Sequence, residues 1–233
     1  TLDNLNNAYS NQFGSTDPNA VDTQIRFRLA TVSPDAMILP EAGISRFDGT
    51  TYDDGSPFNT ETPGDQFLDV NEAYHLQGEN FWDPRQYLNL WVIERRDNRG
   101  SAPLPRMLSS NPLPGLDSNP TDYEPNLNDF GGLLLDPDRL IDSGPHEVGH
   151  ALGLLHPWSD GACGEGDYVD DTFNYLWDGS NYPACPNNLG IEESTSFMDY
   201  RGTTDTFTYS QRERMRHALQ YGIWIRDLPN STK

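Results

Sequence analysis

Lysine is nearly absent from this chain. Lys233, the final residue, stands alone beside fourteen arginines, against twenty-five aspartates and eleven glutamates, and the formal net charge at pH 7 is −21. That balance excludes a reader of phosphate backbones, which needs a basic footprint, because such a surface repels a polyanion at long range. No apolar run approaches the ~18 residues of a membrane span, and no basic and apolar leader opens the chain. Repeats and low-complexity tracts are missing too, so the 233 residues read as one unit long enough to bury a substantial core. The first residue is Thr1, which predicts a processed mature form whose signal and inhibitory pro-segment lie upstream. Cysteine is scarce. Cys163 and Cys185 flank a Gly-, Asp- and Pro-rich stretch and suit one disulfide in an oxidising, extracellular compartment, or else a reduced pair. They form no Cys-x-x-Cys arrangement of the kind that binds metal.

Histidine is scarce as well, yet three of the five fall within eleven residues, in the run His146-Glu147-Val148-Gly149-His150-Ala151-Leu152-Gly153-Leu154-Leu155-His156. On a helix, residues four apart lie one above the other, so His146 and His150 present two imidazoles to one point, with Glu147 on the adjoining edge. A catalytic zinc takes three protein ligands and keeps a position for water. Gly153 lets His156 be the third: glycine can take the left-handed conformation that ends a helix, turning His156 back toward the first two. The alternative is an amphipathic helix whose histidines coincide there by chance, which five fixed positions make a rare event.

The run is similar to the extended zinc signature of metzincin metallopeptidases, which carry a methionine turn downstream. Ser196-Phe197-Met198-Asp199-Tyr200 fits that turn and resembles the one found in the pappalysin family. By itself Met198 would read as an adaptable core filler. The resemblance implies instead that Met198 forms an apolar floor beneath the metal and that Tyr200 contacts the reaction intermediate. Cys163-Gly164-Glu165-Gly166-Asp167-Tyr168-Val169-Asp170-Asp171-Thr172 is similar to the family's glycine-aspartate calcium loop. It implies Ca2+ held by Asp167, Thr172, the Val169 carbonyl and Asp171, the last directly or through water, since calcium prefers six to eight oxygen ligands. A solvated acidic loop is the plainer alternative in a chain this rich in aspartate.

The resemblance further implies an α+β fold, a metzincin-type catalytic domain spanning 1–233. A twisted mixed sheet and the zinc helix would form an upper lobe, about 1–153, above a smaller irregular lower lobe, about 154–233, ending in a C-terminal helix. It implies a secreted, monomeric zinc endopeptidase made as a zymogen, acting on protein or peptide substrates. Zinc would lower the pKa of water from ~15.7 toward ~7 and polarise the scissile carbonyl. Glu147 would take that water's proton and pass it to the leaving amine. Two other readings compete: a different metzincin branch with another specificity pocket, and a noncatalytic metal-dependent binding module.

Periodicity places these motifs on elements. Leu2, Leu5, Tyr9 and Phe13 share one helical face over 1–13, while Ile25, Phe27 and Leu29 alternate with arginines as a strand over 23–30. Residues 65–75 predict a helix and 87–93 a strand. About 98–129 shows no period and reads as a functional rim or calcium-tied lid. Residues 131–135 read as a short apolar strand; in metzincins the corresponding strand pairs with substrate, which makes Leu133 and Leu135 substrate-binding. Ser143 can cap the zinc helix with Pro145 in its first turn, a departure from the threonine-leucine-threonine lead-in common in the family. Ser210-Gln211-Arg212-Glu213 reads as a capping box opening a helix that runs to about Tyr221 and stops at Gly222. His217 on that helix, and His75, read as facing solvent or a helix dipole rather than a metal.

Pappalysins of the ulilysin type prefer arginine just after the cleaved bond, using an acidic residue in a cysteine-containing segment beyond the methionine turn. Here the segment is Arg201-Gly202-Thr203-Thr204-Asp205-Thr206, shorter and without the cysteine. Asp205 is the candidate base of that pocket.

Overall fold

Leu5, Ala8 and Tyr9 fall on the inner side of the first helix, α1 (Leu2–Tyr9), and are buried. The helix ends earlier than its apolar spacing predicts, because Asn11 takes the left-handed conformation (φ 56°) that asparagine tolerates better than most residues. Phe13 is consequently left 43% exposed. The computed structural model describes residues 2–46, 81–93, 100–119, 132–159, 163, 166–177, 183–186, 188, 194–200 and 203–233. The predicted helix over 65–75, with His75, lies outside them.

The alternation over 23–30 yields extended chain rather than a strand, with no sheet partner among the described residues. A side chain takes the place of a ladder. Asn6 accepts from the Phe27 amide (2.8 Å) and donates to the Phe27 carbonyl (3.0 Å), satisfying both backbone groups from α1. The Phe27 ring then packs edge-on against Tyr9, centroids 4.9 Å apart.

The predicted strand over 87–93 is confined to β1 (Leu90–Val92), which pairs in parallel with β4 (Leu133–Leu135), Trp91 opposite Leu134. Between them in sequence, β2 (Met107–Leu108) and β3 (Ser118–Asn119) pair in parallel. The stretch expected to be a featureless rim thus contributes Met107 to the interior, where it is fully buried. Farther along, β5 (Trp158–Ser159) pairs with β6 (Tyr175–Leu176).

Leu134 exchanges both its backbone groups with Ser101, each bond 2.8 Å, while Leu133 donates to the Asn89 carbonyl and Leu135 accepts from the Ile93 amide. With neighbours on both sides and all three leucines at 0% exposure, β4 offers no free edge. Leu133 and Leu135, expected to bind substrate, are thus interior residues of β4, and Ser101 pairs with Leu134 between them.

A short 3-10 turn, Pro137–Arg139, leads into α2 (Gly144–Ala151), which carries the first two histidines. Ser143 stands at its N-cap but makes no side-chain cap bond. It is itself helical (φ −95°, ψ −14°), continuing the preceding turns, whereas a capping hydroxyl needs an extended backbone at that position. The last helix, α3 (Tyr209–Tyr221), is opened by a capping box two residues earlier than expected, Thr208 with Gln211. Asp171 reinforces it, accepting from the Thr208 hydroxyl (2.6 Å) and the Ser210 amide (2.8 Å). One core cluster joins α1, β4, α2 and α3 through Tyr9, Leu133, Val148, Met198, Phe207 and Met215.

Candidate metal centre

After Ala151 the chain tightens, and Gly153 takes φ 91°, a left-handed value that a side chain would oppose. This reversal brings His156 back beside α2. The Nε2 atoms of His146, His150 and His156 lie 3.0, 3.0 and 3.2 Å apart. Ligands ~2.05 Å from a tetrahedral zinc would be separated by about 3.3 Å, so the three nitrogens fit around one ion. Among the described residues this is the set of three such side chains that could hold a metal.

Two of the rings are oriented from behind. His146 Nδ1 lies 2.8 Å from the Phe197 carbonyl and His150 Nδ1 lies 2.9 Å from the Leu154 carbonyl. A carbonyl can only accept, so each Nδ1 carries the proton and each Nε2 presents a lone pair. Lone pairs converging at 3.0–3.2 Å repel unless a cation lies among them. Burial holds the imidazoles neutral: His146 is below its ordinary pKa, His150 is pushed down to about 4 and His156 to about 2, the last two also through the neighbouring rings.

Glu147 is buried beside His146 on α2. The space it uses is left by Gly100: a Cβ on that glycine would stand 2.5 Å from Glu147 Oε1 and 2.9 Å from its Cδ. Met198 is fully buried, its sulfur packed so closely under Gly149 that no Cβ would fit there. Its turn is held by Ser196, whose hydroxyl accepts from the Met198 amide (3.1 Å) and from Gln211 on α3 (2.9 Å). Tyr200 is 62% exposed, with its ring 5.2 Å from that of His146 and 4.9 Å from that of His156. Trp158, which the motifs did not single out, stacks on His156 at 3.9 Å. Its place two residues after the last histidine was the one available signal.

Away from the histidines, Cys163 and Cys185 form a disulfide. Within the adjacent loop, Asp167 is 2% exposed and both its oxygens accept from the Thr172 hydroxyl, at 3.1 and 2.9 Å. Burial pushes its carboxyl up to about 7. Val169 donates its amide to Asp167 at 3.4 Å. Asp171 stands apart from them in function, with both oxygens engaged at the start of α3. Asp205 lies beyond the methionine turn, its amide bonded to the Thr195 carbonyl and its Oδ1 buried with no hydrogen-bond partner among the described residues. His217 is half-buried, within 3.2 Å of the Asn111 carbonyl, and belongs to no metal-binding cluster among the described residues.

This fold is shared with solved structures of a peptidase, mirolysin. The chain superposes on mature mirolysin of Tannerella forsythia in complex with a cleaved peptide with a TM-score of 0.64, at 22% identity over 97% of this chain and 85% of that one. Against promirolysin of the same organism the TM-score is 0.66, at 21% identity over 98% and 76% of the two chains. Residues 76–220 match the peptidase family described as pregnancy-associated plasma protein-A, and the chain belongs to that family, the pappalysins. An extracellular metalloprotease of Neurospora crassa is 40% identical over 76 residues, 30% of this chain and 27% of that protein. One from Verticillium alfalfae is 37% identical over 90 residues, 37% of this chain and 31% of its own length. The matched stretch therefore spans less than a third of those fungal relatives.

Proposed function

We propose that the chain is a secreted zinc endopeptidase that cleaves peptide bonds in proteins, with His146, His150 and His156 as the metal ligands. The observation that carries this reading is the convergence of three neutral imidazole nitrogens 3.0–3.2 Å apart, on one buried and two half-buried rings, two of them with their protons directed away into carbonyls. Bound there, zinc supplies Lewis acidity, drawing the pKa of a water from ~15.7 toward ~7. Glu147 is the general base: its carboxylate accepts the water's proton and, as the C–N bond breaks, delivers it to the leaving amine. Tyr200, exposed at the mouth, donates its hydroxyl to the negative oxygen of the tetrahedral adduct. Met198 packs under α2 and supports the helix without touching substrate. Secretion is supported by the fungal relatives, which are described as extracellular. The unit acts as a single catalytic domain and as a monomer.

Calcium is the second metal of this reading, held by Asp167, Thr172 and the Val169 carbonyl, with Asp171 chiefly an anchor for α3. What favours it is a carboxylate buried to 2% exposure, where loss of water raises its pKa to about 7 despite hydrogen bonds from Thr172 and Val169 that favour the ionised form. Preference for arginine after the cut rests on Asp205 and its buried oxygen with no hydrogen-bond partner among the described residues. Metal analysis of the purified protein, with a cleavage-site profile on a peptide library, tests both levels. About one zinc per chain, lost with activity on chelation, is the expected result; a metal-free protein that still cleaves casein refutes the ligand assignment.

A further inference from the structure

The three imidazoles are not fixed in the same way. His146 and His150 are each tethered through Nδ1 to a backbone carbonyl, at 2.8 and 2.9 Å. Among the described residues, His156 comes within hydrogen-bond distance only through Nε2, of the other two histidines. What lies against it is an indole. The ring of Trp158 is stacked on that of His156 with centroids 3.9 Å apart and planes only 11° from parallel. Trp158 is seated in turn: its backbone is in β5, opposite Tyr175 of β6, and its far surroundings are aromatic, with Trp177 at 4.9 Å and Tyr200 at 4.7 Å.

An imidazole turns about a broad, two-fold torsion at its Cβ–Cγ bond, so backbone placement alone does not aim its lone pair. A carbonyl behind Nδ1 removes that freedom for the first two histidines. Building on the zinc reading above, we propose that Trp158 is a positioning residue of the metal centre, its flat face setting the plane of the His156 ring where the other two ligands rely on carbonyls. The stack also favours the loaded state. An imidazole that has given its lone pair to a cation is electron-poor, and the electron-rich face of an indole attracts it more than a neutral ring.

The test compares flat and non-flat replacements in the full chain. Trp158→Phe keeps a planar face and Trp158→Leu keeps apolar bulk without one. Zinc affinity, measured by competition with a chromophoric chelator, is expected to stay within about threefold of wild type for Phe and to fall about tenfold for Leu, the lower end of the 10–100-fold that groups behind a ligand contribute. Metal-free melting temperatures should match between the two variants. Leu binding as tightly as wild type, or Phe losing as much as Leu, overturns the proposal. Cobalt(II) gives a readout independent of stability: its ligand-field bands should keep their wild-type positions in Phe and shift in Leu, and unshifted bands in Leu overturn the proposal equally. A wild-type chain that binds neither metal would instead refute the zinc reading beneath it.

Discussion

Replacing Gly100 by alanine bears directly on whether Glu147 is the proton carrier. The new methyl would stand 2.5 Å from Oε1 and 2.8 Å from Cγ of Glu147, where ordinary contact begins at 3.4 Å, so one side must give by about 1 Å. The two sides are not equally free. Residue 100 adjoins Ser101, which is held to Leu134 by two 2.8 Å backbone bonds, whereas the carboxylate is the far end of a side chain with three torsions. The carboxylate is therefore what moves. A misplacement near 1 Å at a reacting group costs on the order of 100-fold. Steady-state kinetics on a fluorogenic peptide should show kcat reduced about 10–100-fold with KM changed by less than about threefold, while zinc content and melting temperature stay near wild type. Unchanged kcat would refute the reasoning, because the carboxylate would then not rest against residue 100 during turnover. Loss of zinc would refute it differently, by showing that the methyl displaces α2 rather than the side chain.

Glu147→Gln should retain zinc by metal analysis and a normal melting curve while losing at least ~1000-fold in kcat; near-normal hydrolysis would remove Glu147 from the mechanism. Asp167 has a folded pKa of about 7, above its ordinary 3.8, so without calcium its contribution to stability is fully present below about pH 4 and is lost as the pH rises through about 7. Asp167→Asn should thus melt higher than wild type in calcium-free buffer at pH 8, by up to about 4 kcal/mol in ΔG, and lower than wild type once calcium is added; a curve indifferent to calcium argues against the site. Thr208→Ala removes both the capping box and the bond to Asp171, and urea unfolding should register a loss of about 1–2 kcal/mol. Asp205→Ala should flatten any preference for arginine in a peptide-library profile, and an unaltered profile would take Asp205 out of the pocket.

What could be read before folding was whatever lives within one turn or one short loop. His146, His150 and Gly153 lie within eight residues of one another, and helix geometry with a single left-handed glycine is enough to gather them. The interactions that finish the site cross long stretches of chain. Gly100 meets Glu147 and the Phe197 carbonyl meets His146, and nothing in the local pattern at either end announces its partner. The same distance hid the second neighbour of β4: Ser101 lies in a stretch without periodicity, and nothing local announces its pairing with Leu134. At α3 the difficulty was ambiguity. Thr208-Tyr209-Ser210-Gln211 and Ser210-Gln211-Arg212-Glu213 both satisfy the capping pattern, and the choice falls to the first because Asp171 reaches Thr208 from outside the helix.

The carbonyl that orients His146 belongs to a turn pinned by Ser196 to Gln211 of the last helix. That carbonyl lies 51 residues beyond His146, so the histidine stays unaimed until the turn has formed and α3 has docked. Assembly of the metal site is therefore coupled to the seating of α3, and a chain whose α3 is unseated lacks an aimed first imidazole.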